Sequence, residues 1–138
     1  MFTLSDRSLK RLEGVNDDLV KIVKLAIRRT PVDFGVAWCG GFRTPEEQNQ
    51  LFKDGYSQCD GYEKLSKHQF GDAVDLQVFV GGAAVHNEKM QCIVAGVMFA
   101  CASELGIKIR WGLDWNMNSD IRDNKFNDIY HYELTHKK

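Results

Sequence analysis

The sequence predicts an α+β fold, with a small, largely antiparallel sheet and helices around it. Three observations carry that reading. Apolar residues recur at intervals of three and four through residues 16–30 and 87–105, the period of helices that bury one face. Residues 73–80 alternate apolar and polar side chains, the period of a strand with one buried face. The helical patterns are grouped around a few short strand patterns, which fits packed α and β layers.

Taken in order, a short helix starts with Ser5 as N-cap and ends near Gly14, with Leu9 and Leu12 turned inward. A longer helix follows from Asn16. Asp17 and Asp18 in its first turn and Arg28 and Arg29 in its last match the helix dipole at both ends. Leu19, Ile22, Val23, Ala26 and Ile27 form its inner face, and Pro31 closes it. Residues 34–38 read as a strand. Thr44-Pro45-Glu46-Glu47 is a strong helix start, since Thr44 caps, Pro45 takes the first helical position and Glu47 completes a capping box. That helix is expected to end at Gly55.

Residues 54–67 are polar and aromatic without periodicity, a loop of the length that binding elements often have. Val74, Leu76 and Val78 then alternate with Ala73, Asp75 and Gln77. Asn87 starts the best helix, whose apolar stripe is Met90, Ile93, Val94, Val97, Met98, Cys101 and Leu105, with Gly106 as its stop. Ile107, Ile109 and Trp111 alternate with Lys108 and Arg110 in a short strand. A polar loop covers 112–127 and a last strand 130–134.

The 138 residues show no repeat, low-complexity segment or linker, so one domain over 1–138 is expected. With 18 Lys+Arg against 19 Asp+Glu, the net charge is −1, and the longest basic run is Lys137-Lys138. Non-specific binding to nucleic acid has little to work with. The first residues lack a basic segment followed by an apolar run, and no stretch approaches membrane-spanning length, so synthesis in a cytoplasm is expected. Cys39, Cys59, Cys92 and Cys101 contain no C-x-x-C pair, and we read them as buried reduced thiols.

Chemistry concentrates in Ser66-Lys-His68-Gln-Phe-Gly71-Asp-Ala73-Val-Asp75. A carboxylate within a strand of Val and Leu is costly to bury unless it is paired or metal-bound. Asp128-Ile-Tyr-His131-Tyr-Glu133-Leu134 supplies a second histidine, with an aspartate at the mouth of the strand. Three ligands, His68, Asp75 and His131, would leave one position of a zinc ion for water, the catalytic arrangement. Asp128 is then available as general base. The plainer alternative is a pair of hydrogen-bonded structural histidines.

Ser66-x-His68-x-x-Gly71-x-Ala73-x-Asp75 with Asp128-x-x-His131-x-Glu133-Leu134 resembles the M15 family of zinc peptidases, which includes D-Ala-D-Ala carboxypeptidases and dipeptidases. Gly41-Phe-Arg43-Thr44 with Gln48, and Arg110-Trp-Gly112-x-Asp114-Trp115, match that family too. The order of motifs and the short length look most like the phage endolysins that cleave the L-alanyl-D-glutamate bond of peptidoglycan.

The resemblance implies a zinc D-Ala-D-Ala peptidase-like, Hedgehog-like fold without a separate wall-binding domain. It implies that His68, Asp75 and His131 bind zinc, that Asp128 is the base, and that Arg43 faces the scissile peptide or a substrate carboxylate. Arg43 has the chemistry to steady an oxyanion, the alternative being a surface arginine that caps carbonyls. Ser66 either orients substrate or supports the metal shell, or else caps its loop. Glu133 is read as an outer acceptor for a ligand imidazole, against a solvent-facing strand carboxylate.

The implied activity is hydrolysis of the L-alanyl-D-glutamate bond during host lysis. A D,D-carboxypeptidase or dipeptidase with the same machinery, and a non-catalytic wall-binding module that kept the zinc fold, stand as rivals. The implied partner is the peptidoglycan stem peptide, met by a monomer without stable membrane association. The chain is expected to be made in the host cytoplasm and to reach the wall by a holin-type route.

Asp114-x-Asn116-x-Asn118-x-Asp120 resembles the start of a calcium loop, with Ser119 in place of the usual glycine and Lys125 in place of the bidentate glutamate, for which Asp123 is a substitute. A polar hydrogen-bonded loop is the alternative. His86 and His136 read as solvated. Trp111, Trp115, Tyr130 and Tyr132 read as core and cleft wall, and Tyr56 and Tyr62 as better candidates for substrate contact. Cys39 has no histidine in a partner position, which argues against a cysteine nucleophile.

Overall fold

A computed structural model of the chain describes residues 1–122 and 128–135. Its elements are α1 (Asp6–Arg11), α2 (Asp17–Arg29), β1 (Phe34–Val36), α3 (Pro45–Lys53), a 3₁₀ turn (Lys67–Phe70), β2 (Ala73–Val80), β3 (Ala83–Ala84), α4 (Glu88–Leu105), β4 (Ile109–Gly112) and β5 (Asp128–Leu134). The sheet runs β1-β2-β5-β4, with β3 pairing the far end of β2, and every pairing is antiparallel. This is the expected α+β class.

The caps act as the sequence requires. Ser5, Asn16, Thr44 and Asn87 each accept a backbone N–H at the start of their helices, and Thr44 and Glu47 form a reciprocal capping box. The core lies between one face of the sheet and the α2–α4 pair. It joins Leu19, Ile22 and Val23 to Val74, Leu76 and Val78, and to Trp111, Tyr132 and Leu134.

Two inward faces differ from expectation. In α1, Leu9 is exposed and Ser8 is buried instead. The cause is the outer edge of β1, where the Ser8 hydroxyl accepts the Val36 N–H and Arg11 donates to the Val36 carbonyl. A free strand edge is thereby satisfied by a helix. In α4, Ile93 and Leu105 are exposed, Met90 and Val97 are half-buried, and the buried face runs through Gln91, Val94, Ala95, Met98, Cys101 and Ala102. Between the stretches of β2 paired with β5 and with β3, the Gln91 amide accepts from Val78 N–H and donates to Leu76 carbonyl, substituting for a missing strand. Of the four free cysteines only Cys101 is fully buried; the others are half-buried. Among the described residues, no helix is long and apolar enough to cross a membrane.

Candidate active site

The sheet's second face carries the polar residues. Asp75 of β2 pairs in register with His131 of β5, and Glu133 of β5 with Arg110 of β4. Alternation therefore turns Asp75, His131 and Glu133 away from the core that Val74 and Tyr132 occupy. His68 enters from the 3₁₀ turn, which Ser66 and Gln69 cap reciprocally.

His68 Nε2 lies 3.3 Å from Asp75 Oδ1, and His131 Nδ1 lies 3.1 Å from the same oxygen. The ligand-type atoms of His68, Asp75 and His131 all lie within 4.8 Å of one another. Each imidazole is held from behind. His68 Nδ1 donates to the Gly41 carbonyl at 2.9 Å, and His131 Nε2 donates to Glu133 Oε1 at 2.8 Å. Gly41 has to be glycine, because a Cβ there would lie 1.9 Å from the Arg11 carbonyl oxygen. Two nitrogens and one carboxylate oxygen, with both outer nitrogens already engaged, fit a divalent metal of the zinc type.

The charges respond to this crowding. Burial alone would raise the Asp75 carboxyl, but His68 and His131 hold it far below the usual carboxylate range. Burial would lower His131, yet its hydrogen bonds to Asp75 and Glu133, with the charges of Asp75 and Asp128, raise it to about 9. Burial also pushes up Glu133, and His131 and Arg110 pull it down, so it stays ionised. Asp128 is raised by burial and by the Asp75 charge, against the pull of His131, the Tyr130 N–H and His68.

Asp128 reaches this face through an irregularity. Trp111 pairs with Tyr132, but the next residue, Gly112, pairs with Asp128. The three residues between Asp128 and Tyr132 are skipped in the pairing with β4, a bulge that re-aims the start of the strand while His131 stays paired with β2. Gly112 permits it, since a Cβ there would lie 1.9 Å from the Asp128 carbonyl oxygen. β5 therefore starts two residues earlier than the sequence pattern indicated.

Arg43 donates to Cys39 carbonyl at 2.7 Å, to Gln48 Oε1 at 3.0 Å and to Asp75 Oδ2 at 3.3 Å. Gln48, which sequence reasoning left without a role, is fully buried and donates to Ser57 Oγ and the Cys59 carbonyl, tying Arg43 to the loop that walls the site. Ser66 accepts the His68 N–H, so its capping role is realised, and it also lines the cleft.

The cleft over this cluster encloses about 750 Å³. Tyr56, Ser57, Lys64 and Lys67 form part of one wall, and Trp115 and Asp128 part of another. Tyr62, the expected substrate contact, is exposed and is not among the lining residues; Tyr56 is, packed edge-on against Trp38. Trp111 and Tyr132 belong to the core. His86 is exposed and meets the Tyr130 hydroxyl. Burial raises the Cys39 thiol, which makes it a poor nucleophile.

In the calcium-like loop, Ser119 N–H donates to Asp114 Oδ2, Asn118 N–H to Asn116 Oδ1 and Asp120 N–H to Asn118 Oδ1. Arg122 grips Asp120 through two nitrogens at 2.9 Å each. These oxygens close the loop on itself, and calcium would have to displace Arg122 from Asp120. Asp123, Lys125 and His136 lie outside the described residues.

Comparison with known proteins agrees with this geometry. Residues 1–135 match the family described as phage L-alanyl-D-glutamate peptidase. The L-alanyl-D-glutamate peptidase of Escherichia phage T5 is 33% identical over 123 residues, covering 88% of each chain. The crystal structure of Serratia marcescens L-Ala D-Glu endopeptidase ChiX superposes with a TM-score of 0.78 at 29% identity, over 96% of this chain and 90% of that one.

Proposed function

The chain belongs to the family of phage L-alanyl-D-glutamate peptidases, and from that premise we propose that it hydrolyses the L-alanyl-D-glutamate bond of peptidoglycan stem peptides with one zinc ion as cofactor. The observation that carries this reading is the convergence of His68 Nε2, Asp75 Oδ1 and His131 Nδ1 in a cleft that Asp128 also lines. Zinc bound there supplies Lewis acidity to the attacking water and to the scissile carbonyl.

The protein's own groups carry the remaining work. Asp128 is the base. Its raised proton affinity suits a carboxylate that takes a proton from water and passes it to the leaving amino group of D-glutamate. Arg43 has five N–H donors and its protein contacts engage three, so two remain to steady the oxygen that gains negative charge. Ser66 and Tyr56 line the cleft for the peptide. Glu133 keeps the His131 ring aimed. The single domain acts as a monomer, made in the host cytoplasm and reaching the wall by a holin-type route.

Mass spectrometry of a peptidoglycan digest tests the proposal. Wild type is expected to create new D-glutamate amino termini, chelation to stop this and zinc to restore it. Asp128→Asn should lower the rate by about 10²–10⁴-fold while retaining zinc. Release of D-alanine alone would assign the chain to D,D-carboxypeptidases. Zinc and wall binding without new amino termini would make it a binding module. Full activity in Asp128→Asn would remove the assigned base.

A further inference from the structure

Arg110 touches neither the metal ligands nor the space above them, yet it grips the two groups that flank His131. It stands opposite Glu133 in the β4–β5 register, on the sheet face that carries Asp75 and His131. One terminal nitrogen donates to Glu133 Oε2 at 2.6 Å and the other to the Trp115 carbonyl at 3.3 Å. The guanidinium carbon lies 5.4 Å from the centroid of the Trp115 ring. Glu133 Oε1 in turn takes the His131 Nε2–H, and the Trp115 ring lies 5.3 Å from the His131 ring, tilted by 38°.

We propose that Arg110 is a positioning residue of this site, which fixes Glu133 behind His131 and Trp115 beside it so that Nδ1 is the nitrogen presented to the metal. The proposal rests on the metal-site reading above. When Nδ1 gives its lone pair to a metal, the imidazole hydrogen has to sit on Nε2. A carboxylate with an ion-pair partner only accepts, and it holds that hydrogen in place. The Glu133 side chain is 4% exposed, and a carboxylate so buried needs a cation against it. Among the described residues Arg110 is the Lys or Arg side chain that pairs with it.

The residue type matters as much as the charge. A planar guanidinium can bond a carboxylate and a carbonyl at once while facing an aromatic ring, whereas an ammonium is a point charge on a flexible stem. Arg110 and Glu133 are also a cross-strand pair, so their approach is set by the sheet and not by a loop. An ordinary structural ion pair predicts a different result: its loss would lower stability and leave the metal site unchanged.

Arg110→Met and Arg110→Lys, compared with wild type, separate the two. Zinc affinity is read by chelator competition, the His131 Nε2–H by nitrogen-15 NMR of the zinc-loaded protein, and melting temperature on the same samples. Arg110→Met is expected to bind zinc about 10- to 100-fold more weakly and to lose the exchange-protected Nε2–H. Arg110→Lys should restore zinc affinity to within several-fold, yet keep a raised KM because an ammonium does not bond the Trp115 carbonyl and face its ring as the guanidinium does. A folded Arg110→Met with wild-type zinc affinity and an unchanged Nε2–H overturns the proposal. If Arg110→Met does not fold, wild-type KM and wild-type zinc affinity in Arg110→Lys overturn it instead. A wild type that binds no zinc refutes the metal-site reading itself and is distinguishable from both outcomes.

Discussion

Removing the metal should reverse the sign of the protein's pH dependence of stability. Without metal, His131 sits between Asp75 and Glu133 as an imidazolium with a pKa raised to about 9. In the unfolded chain it titrates near 6.5. The folded state therefore binds the extra proton between those values. Its stabilising contribution is fully present below about pH 6.5 and is lost as pH rises through about 9. At about 1.4 kcal/mol per pH unit, that gap is on the order of 3 kcal/mol. For a chain of this length it corresponds to a fall in Tm of roughly 10 °C.

With zinc the slope inverts, because the metal must displace the same proton and binds more tightly as pH rises. Differential scanning calorimetry between pH 6 and 9.5, with chelator and with zinc, reads both slopes. Glu133→Gln removes one of the two carboxylates, so its metal-free protein should show a shallower fall. A metal-free Tm that is flat or rising from pH 6.5 to 9 would refute the account of His131 as a trapped imidazolium.

Further substitutions probe other parts of the structure. Gly112→Ala puts a methyl group against the Asp128 backbone, and kcat is expected to fall about 100-fold or more, with zinc affinity kept within tenfold by chelator competition. The Tyr132 hydroxyl is buried and has no hydrogen-bond partner among the described residues, so Tyr132→Phe should match or exceed wild-type stability by up to about 1 kcal/mol in denaturant melts. Gln91→Leu leaves Val78 N–H and Leu76 carbonyl unpaired in the core and should cost about 2–5 kcal/mol, with kcat changed much less. Lys64 and Lys67 line the cleft, and neither has an ion-pair partner among the described residues. Changing both to Gln should raise KM for the acidic stem peptide several-fold and flatten its salt dependence in steady-state assays.

The parts of the fold that are local in origin were legible in the sequence. The Thr44–Glu47 capping box, the Asn16 cap and the inner face of α2 depend on residues within a few positions of one another. Gln91 and Ser8 were not legible, because their burial depends on backbone groups of β2 and β1 that are distant in the chain. The site divides in the same way. Asp75 stood out as a carboxylate costly to bury in an apolar strand, His68 as a histidine before a glycine turn and His131 as a histidine on a strand, and the fold brings the three together. The opposition of Asp75 to His131 and of Glu133 to Arg110 is a matter of strand register, which no local pattern states. Of the wall formed by Tyr56, Ser57 and the two lysines, the sequence singled out Tyr56 within an aperiodic loop of binding-element length, and Ser57 and the lysines were not legible.

Register also explains how one strand serves both the core and the chemistry. In β5, Tyr132 and Leu134 face the core while His131 and Glu133 face the site, as strict alternation demands. Asp128 has the parity of Tyr132, so an unbroken strand would turn it inward, where an ionised carboxylate is costly. The jump in pairing between Trp111 and Gly112 removes that conflict, since residues 129–131 have no partner on β4, His131 keeps its pairing with Asp75 of β2, and Asp128 lines the cleft beside the histidines. Asp128 therefore owes its place to the absence of a side chain at Gly112 on the neighbouring strand. A substitution at Gly112, which has no titratable group of its own, is expected to affect catalysis more than stability. A core substitution that slipped β5 by one residue would remove His131 and Glu133 from the site at the same time.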